Sequence, residues 1–229
     1  MKKFSVSMTS AEKRLGWLYW ALQLFAFPTL LPMLLSHWNR PFSDAQTNFI
    51  FFALNFLCLT VIMRRFLGKN AQVAMQQPFL ILRSAFFGYL GFWVFNITSN
   101  IVVRYFIPDF FNTNDAAIDI LLADNYTLTA IGTVLLAPVA EELIYRGLFF
   151  DTLYRRSPAA AFIASTVFFA SIHVMEYITL YDPLTFVLSF VLYIPAGLLL
   201  GFAYTHCGNI WAPILMHIAI NQTNLMIMR

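Results

Sequence analysis

Charge is scarce in this chain. Its 229 residues hold 14 Lys and Arg and 11 Asp and Glu, 11% in all, where a soluble domain of this length carries about a quarter. Cysteine is equally thin: Cys58 and Cys207 both fall in or beside apolar segments, so a disulfide framework is not indicated. A net charge of +3 is too small to hold a polyanion, and nucleic acid is not an expected partner. There is no low-complexity tract and no internal repeat. The latter argues against a transporter of the repeat-built kind, which would otherwise use paired carboxylates for proton coupling. No small-residue cleavage site follows the basic start at Lys2 and Lys3. The apolar run from Gly16 therefore reads as a retained first helix and not as a signal peptide.

What fills the chain instead is apolar: 60% of residues are hydrophobic, and 25 are Phe. A membrane span needs about 20 such residues. Candidates are 16–36, 48–63, 79–103, 128–151, 159–177, 184–204 and 210–228, with 112–125 a further amphipathic helix. The expected fold is an all-α polytopic transmembrane bundle of about seven spans, within a range of six to eight. Residues 1–127 would supply about three N-terminal spans and an acidic extracytoplasmic loop (Asp109, Asp115, Asp119, Asp124). Residues 128–229 would form a four-helix core. Basic residues recur in alternate loops: Lys2, Lys3, Lys13 and Arg14, then Arg64, Arg65 and Lys69, then Arg155 and Arg156. That alternation places the N-terminus in the cytoplasm and the protein in the cell membrane as a multi-pass protein, with the bilayer as its first partner. Pro28 and Pro32 are expected to kink the first span. Gly197 and Gly201 read as a close helix contact. The first three spans carry no sign of chemistry.

The later spans do. Glu141, Glu142 and Arg146 lie inside an apolar helix, where each charge costs at least about 2.5 kcal/mol unless it faces a partner or a cavity. Glu142 and Arg146 are four apart and share a face, so they can pair, whereas Glu141 points about 100° away. Read blandly, all three form a structural ion cluster. Phe169 and His173 share a helix face, as do His217 and Asn221. A single histidine in an apolar helix is more often packed than catalytic, but three polar sites on three helices make a stronger case together. Glu141 lies sixteen residues before Ser157 and His173 sixteen after it. An antiparallel hairpin turning at Ser157-Pro158 would bring both to one depth, roughly 24 Å from the turn. Because Asp151, Arg155 and Arg156 favour water, that hairpin is expected to protrude, and the sites to converge in a chamber below the cytoplasmic surface. Glu176 is a lesser candidate as a metal ligand.

The set Glu141-Glu142-x-x-x-Arg146, Phe169-x-x-x-His173 and His217-x-x-x-Asn221 resembles the three motifs of the CPBP intramembrane proteases. That family includes enzymes trimming C-a-a-X prenylated proteins and bacterial bacteriocin-immunity proteins. The run from Gly201 to His217 also looks like the segment before the family's last motif, and the resemblance covers roughly 128–226. It implies an intramembrane endopeptidase acting on a peptide or membrane-associated protein. Glu141 would be the general base on a water shared with His173. His217 and Asn221 would bind the oxyanion, and Glu142, Arg146 and Phe169 would support them. A partly desolvated carboxylate holds a proton more tightly than one in water, which suits a base near neutral pH. No cofactor is favoured. Zinc is the alternative, on Glu141, His173 and His217, a poor set beside the usual three-ligand sites and without His-Glu-x-x-His. A non-proteolytic immunity or scaffold protein of the same fold is the runner-up. The chain's small size points to a prokaryotic plasma membrane, where true C-a-a-X processing is not expected.

Overall fold

The structure is a computed structural model. It describes residues 4, 6–37, 41–110 and 112–227, with every side chain among them except that of Glu176. Lys2, Lys3 and the Glu176 carboxylate thus lie outside what is described. Helix is the only regular secondary structure among the described residues, which include no strand. In chain order the helices are α1 (Ser10–Phe25), α2 (Phe27–Ser36), α3 (Asp44–Ile62), α4 (Arg64–Gln76), α5 (Pro78–Phe106) and α6 (Thr113–Ile131). A continuous run follows: a π-helical segment Gly132–Leu136, α7 (Ala137–Glu142), a second π-helical segment Leu143–Phe150 and α8 (Asp151–Tyr154). Last come α9 (Pro158–Val174), a single 3-10 turn (Met175–Tyr177), α10 (Pro183–Cys207) and α11 (Trp211–Ile227).

Local chemistry sets these boundaries. Capping boxes open α1 (Thr9 with Glu12) and α3 (Ser43 with Gln46), each satisfying two orphan backbone donors. Asn112, Ser157 and Asp182 cap α6, α9 and α10, and Pro78, Pro158 and Pro183 occupy first turns where a missing N–H costs nothing. Gly208 ends α10 in the left-handed region at φ 71°. Pro28 removes a backbone donor at the α1–α2 junction, and the two helices diverge there by 65°. Asn125 is non-helical (φ −153°, ψ 96°) and bends the start of the long run, so that 113–124 forms the amphipathic helix read from the sequence.

Apolar side chains face outward as well as inward. On α5, Phe79, Leu82, Phe86, Leu90, Val94, Ile97 and Ile101 recur at spacings of three and four and are all exposed, the mark of a lipid-facing stripe. Asp44–Ile62, Pro78–Phe106, Thr113–Tyr154 and Pro183–Cys207 are long and apolar enough to cross a membrane, and α1 with α2 makes a fifth if the bent pair is one span. Of the other segments read as spans, α9 has 17 apolar residues, and α11, also of 17, is interrupted by His217, Asn221 and Asn224. The bilayer fixes the architecture; the helix lengths place at most five spans beyond dispute of length.

The core joins both halves of the chain. Tyr19, Leu59, Phe66 and Ile81 share one buried cluster with Leu143, Phe150, Leu200 and Ile214. Glu12 reaches across to accept from the Phe66 N–H at 2.8 Å, and Asn209 donates to the Asn70 carbonyl at 2.8 Å, tying α4 to both ends of the bundle's basic face. Gly197 does what the sequence suggested. A Cβ there would sit 2.9 Å from Thr166 Cα, so α9 and α10 approach backbone to backbone. Gly197→Ala is therefore expected to cost about 1–3 kcal/mol by overpacking. Gly68→Ala, where a Cβ meets nothing within 4 Å, should be neutral or stabilise by up to ~1 kcal/mol. Thermal unfolding in detergent checks the pair, and equal melting temperatures would contradict the close approach.

Candidate active site

Glu142 and Arg146 are both fully buried and pair as their spacing predicts, with Arg146 Nη1 donating to Glu142 Oε1 at 2.8 Å. A second partner was not foreseen. His217 Nδ1 lies 2.9 Å from the same carboxylate oxygen. Carboxylate oxygens paired with a guanidinium only accept, so Nδ1 of His217 carries a proton and Nε2 is left facing the other way. Arg146 also donates through Nη2 to the Gly197 carbonyl at 3.1 Å, and its guanidinium carbon stands 4.9 Å from the Phe169 ring centre. One side chain thus anchors the long run to α10 and α9 at once.

Glu141 points elsewhere, as its helical angle requires. It is 19% exposed, and its Oε2 has no hydrogen-bond partner among the described residues. His217 Nε2 lies 3.9 Å from that oxygen. His173 Nδ1 lies 2.8 Å from the Phe169 carbonyl. A carbonyl cannot donate, so here too Nδ1 bears the proton, and a neutral ring presents a lone pair at Nε2. Phe169 separates the two imidazoles, tilted against His173 at 4.7 Å and edge-on to His217 at 5.6 Å. Tyr193 stacks on the far side of His173 at 4.6 Å and exchanges hydrogen bonds of 3.4 and 3.5 Å with Asn112.

Asn221 donates to the Thr133 carbonyl at 2.8 Å. That carbonyl needs a side-chain donor for a reason in the sequence. In the π-helical register each carbonyl awaits the N–H five residues on, and for Thr133 that residue is Pro138, which has none. The Ala137 N–H is already taken by Gly132. The π distortion and the proline together orient Asn221 and leave its second N–H available.

These groups open onto two adjoining lobes. Glu141, His173, Asn221, Thr133 and Tyr177 line one of about 490 Å³, and His173, His217, Asn221 and Phe169 line another of about 350 Å³. His173, Tyr193, Asn221 and Asp115 belong to both walls. The four residues expected to be catalytic do meet. The chamber also draws on residues outside the three motifs. Its remaining wall comes from Arg104, Asn112, Asp115 and Asp119, at the end of the bundle opposite Arg155 and Arg156. The hairpin at Ser157-Pro158 is present, but one ground for expecting it to protrude fails. Asp151 is fully buried and is met by Lys13 at 3.2 Å and Arg155 at 3.6 Å, so pairing replaces the water it was thought to need. The first three spans are also not inert, since α5 contributes Asn96, Asn100 and Arg104 to the wall.

As a zinc site the donor set does not fit. Among the described residues no three His, Cys, Asp or Glu side chains gather closely enough to hold a metal ion, and Glu141, His173 and His217 are not such a group.

Residues 123–223 match a family model described as Rce1-like, type II CAAX prenyl endopeptidase. The match agrees with the resemblance to the CPBP proteases drawn from the three motifs. It runs from α6 into α11, takes in all seven motif residues and leaves α1 to α5 outside. No curated protein and no solved structure gives a match.

Removing one member of a buried ion pair strands the other, at a cost of about 3–5 kcal/mol. Arg146→Met is accordingly expected to unfold the protein or lower its melting temperature sharply. Glu142→Gln combined with Arg146→Met should lose less than the two single losses added. Strict additivity in that cycle would show that the pair is not coupled.

Proposed function

We propose that this membrane protein is an intramembrane endopeptidase that hydrolyses a peptide bond in a membrane-associated protein or peptide, with Glu141 as general base. One observation carries the reading. Glu141 and His173 line one lobe, Glu141 Oε2 has no hydrogen-bond partner among the described residues, and the bonds that fix His173 and His217 engage Nδ1 of each ring and leave Nε2 unused.

A water between them donates one proton to the Glu141 carboxylate and the other to His173 Nε2, which turns its oxygen lone pair toward the scissile carbonyl. Glu141 takes the first proton as the C–O bond forms. The oxyanion receives the spare Asn221 N–H and, with the imidazolium form of His217, its Nε2–H. In that form two carboxylates, Glu141 and Glu142, face two cations, Arg146 and His217, so the buried group is neutral overall. The tetrahedral intermediate collapses when Glu141 returns its proton to the leaving nitrogen. Proton transfer and oxyanion binding are both supplied by side chains, and no step is assigned to a metal.

Orientation narrows the substrate. With the basic loops in the cytoplasm, the chamber opens at the extracytoplasmic end, and a cytosolic C-a-a-X tail would meet the closed basic face. The expected substrate is a peptide or membrane protein segment entering from the outer leaflet.

Glu141→Gln keeps the size of the side chain and removes the base. It should lower cleavage of a degenerate peptide mixture by reconstituted protein by about 10²–10⁴-fold. Asn221→Ala should lower it by about 10²-fold, with the melting temperature of Glu141→Gln unchanged. Equal product from wild type and Glu141→Gln would return the non-proteolytic scaffold reading.

A further inference from the structure

Asn96, Asn100 and Arg104 form a polar stripe on α5 at intervals of four residues, and all three line the smaller lobe with His217. The stripe lies outside the stretch that matches the protease family. Polar side chains in an otherwise lipid-facing span require a counterpart, and packing does not supply it here. Asn100 Nδ2 donates to Asn96, at 2.9 Å to the carbonyl and 3.2 Å to Oδ1. That leaves the Asn96 amide N–H groups and the Asn100 Oδ1 without partners among the described residues. Arg104 is exposed at the mouth and forms no ion pair among them, although Asp115 and Asp119 line the same lobe.

The pitch of the stripe identifies what it can hold. Four helical residues rise about 6 Å, close to the roughly 6.6–6.8 Å over which an extended peptide repeats its outward-facing main-chain groups. A free amide donor on Asn96 and a free amide acceptor on Asn100 are the complements of one carbonyl and one N–H on the same edge of such a strand. From Asn96 to Arg104 is about 12 Å, or about three to four extended residues. We infer that the α5 stripe is a main-chain-binding subsite for an extended peptide, and that Arg104 receives a carboxylate on that peptide at the chamber mouth. The identity of the peptide as substrate rests on the endopeptidase reading; the fit of stripe to strand does not. The carboxylate can be a chain terminus or an acidic side chain, since the guanidinium pairs with either.

The test uses full-length Glu141→Gln protein in nanodiscs and a degenerate apolar peptide mixture in three forms: free C-terminal acid, C-terminal amide, and amide with Glu as last residue. Bound peptides are quantified by mass spectrometry. The acid form should bind about tenfold more tightly than the amide, a difference of about 1.4 kcal/mol, and Arg104→Gln should erase the difference. Recovery of binding by the Glu form marks a side-chain carboxylate as sufficient, and its failure marks a chain terminus as required. Asn96→Leu and Asn100→Leu should weaken all forms alike. An N-methyl scan of the most strongly captured sequence needs no protein variant, and it should lose binding at alternate residues. Equal binding of acid and amide, no binding of any form, or an N-methyl scan without alternation would overturn the subsite. Cleavage followed in parallel with Glu141 intact separates the two ideas: Glu141-dependent cleavage without the binding pattern sinks the subsite alone, and the pattern without such cleavage sinks the endopeptidase reading alone.

Discussion

The carboxylate of Glu142 is the point on which the site turns. One of its oxygens accepts from both Arg146 and His217, at 2.8 and 2.9 Å, with all three side chains buried. Taking a partner from such a group is costly, because the interior of a bilayer protein has no water to replace it, and Glu142 Oε2 and Arg146 Nε are already without a partner among the described residues. The network therefore holds three helical segments in register. Its second effect is chemical. By fixing the Nδ1 proton of His217 it dictates which ring nitrogen meets the chamber, and by occupying Arg146 it leaves Glu141 beside His217 with no guanidinium of its own.

The neighbouring distortions serve the same end. π-helical segments on both sides of α7 shift successive side chains around the helix and free carbonyls that an α-helix would use internally. The Thr133 carbonyl, robbed of a donor by Pro138, becomes the anchor for Asn221. The Phe169 carbonyl, ordinary in a helix, becomes the anchor for His173. Backbone acceptors thus orient two of the four candidate catalytic side chains and a carboxylate orients a third.

Much of this was legible. The apolar helices, the Ser157-Pro158 turn, the Gly197 approach, the Glu142–Arg146 pair and the convergence of Glu141, His173, His217 and Asn221 all follow from spacing and from the cost of polar groups in lipid, whereas α4, with Arg64, Arg65 and Lys69, reads as a loop and is a helix. What could not be read depended on partners distant in sequence. Asp151 looks water-seeking until Lys13, 138 residues away, is placed beside it. The bond from His217 to Glu142 spans 75 residues and has no local trace. Tyr193 and Asn112 join the site only through the path of α6 and α10. The Asn96, Asn100 and Arg104 stripe is different. Its four-residue spacing inside an apolar span is visible, but α5 carries no Asp, Glu, His or Cys to mark it as functional.

The account's central claim is that Glu142 fixes the ring of His217 and the Phe169 carbonyl fixes the ring of His173, so that Nε2 of each faces the chamber. Nitrogen-15 NMR of histidine-labelled protein in lipid, with the two signals assigned by His173→Gln and His217→Gln, tests it directly. The account predicts a proton on Nδ1 of both rings, with that of His217 reporting a hydrogen bond to a carboxylate that Glu142→Gln weakens. A proton on Nε2 with bare Nδ1 in either ring would contradict it.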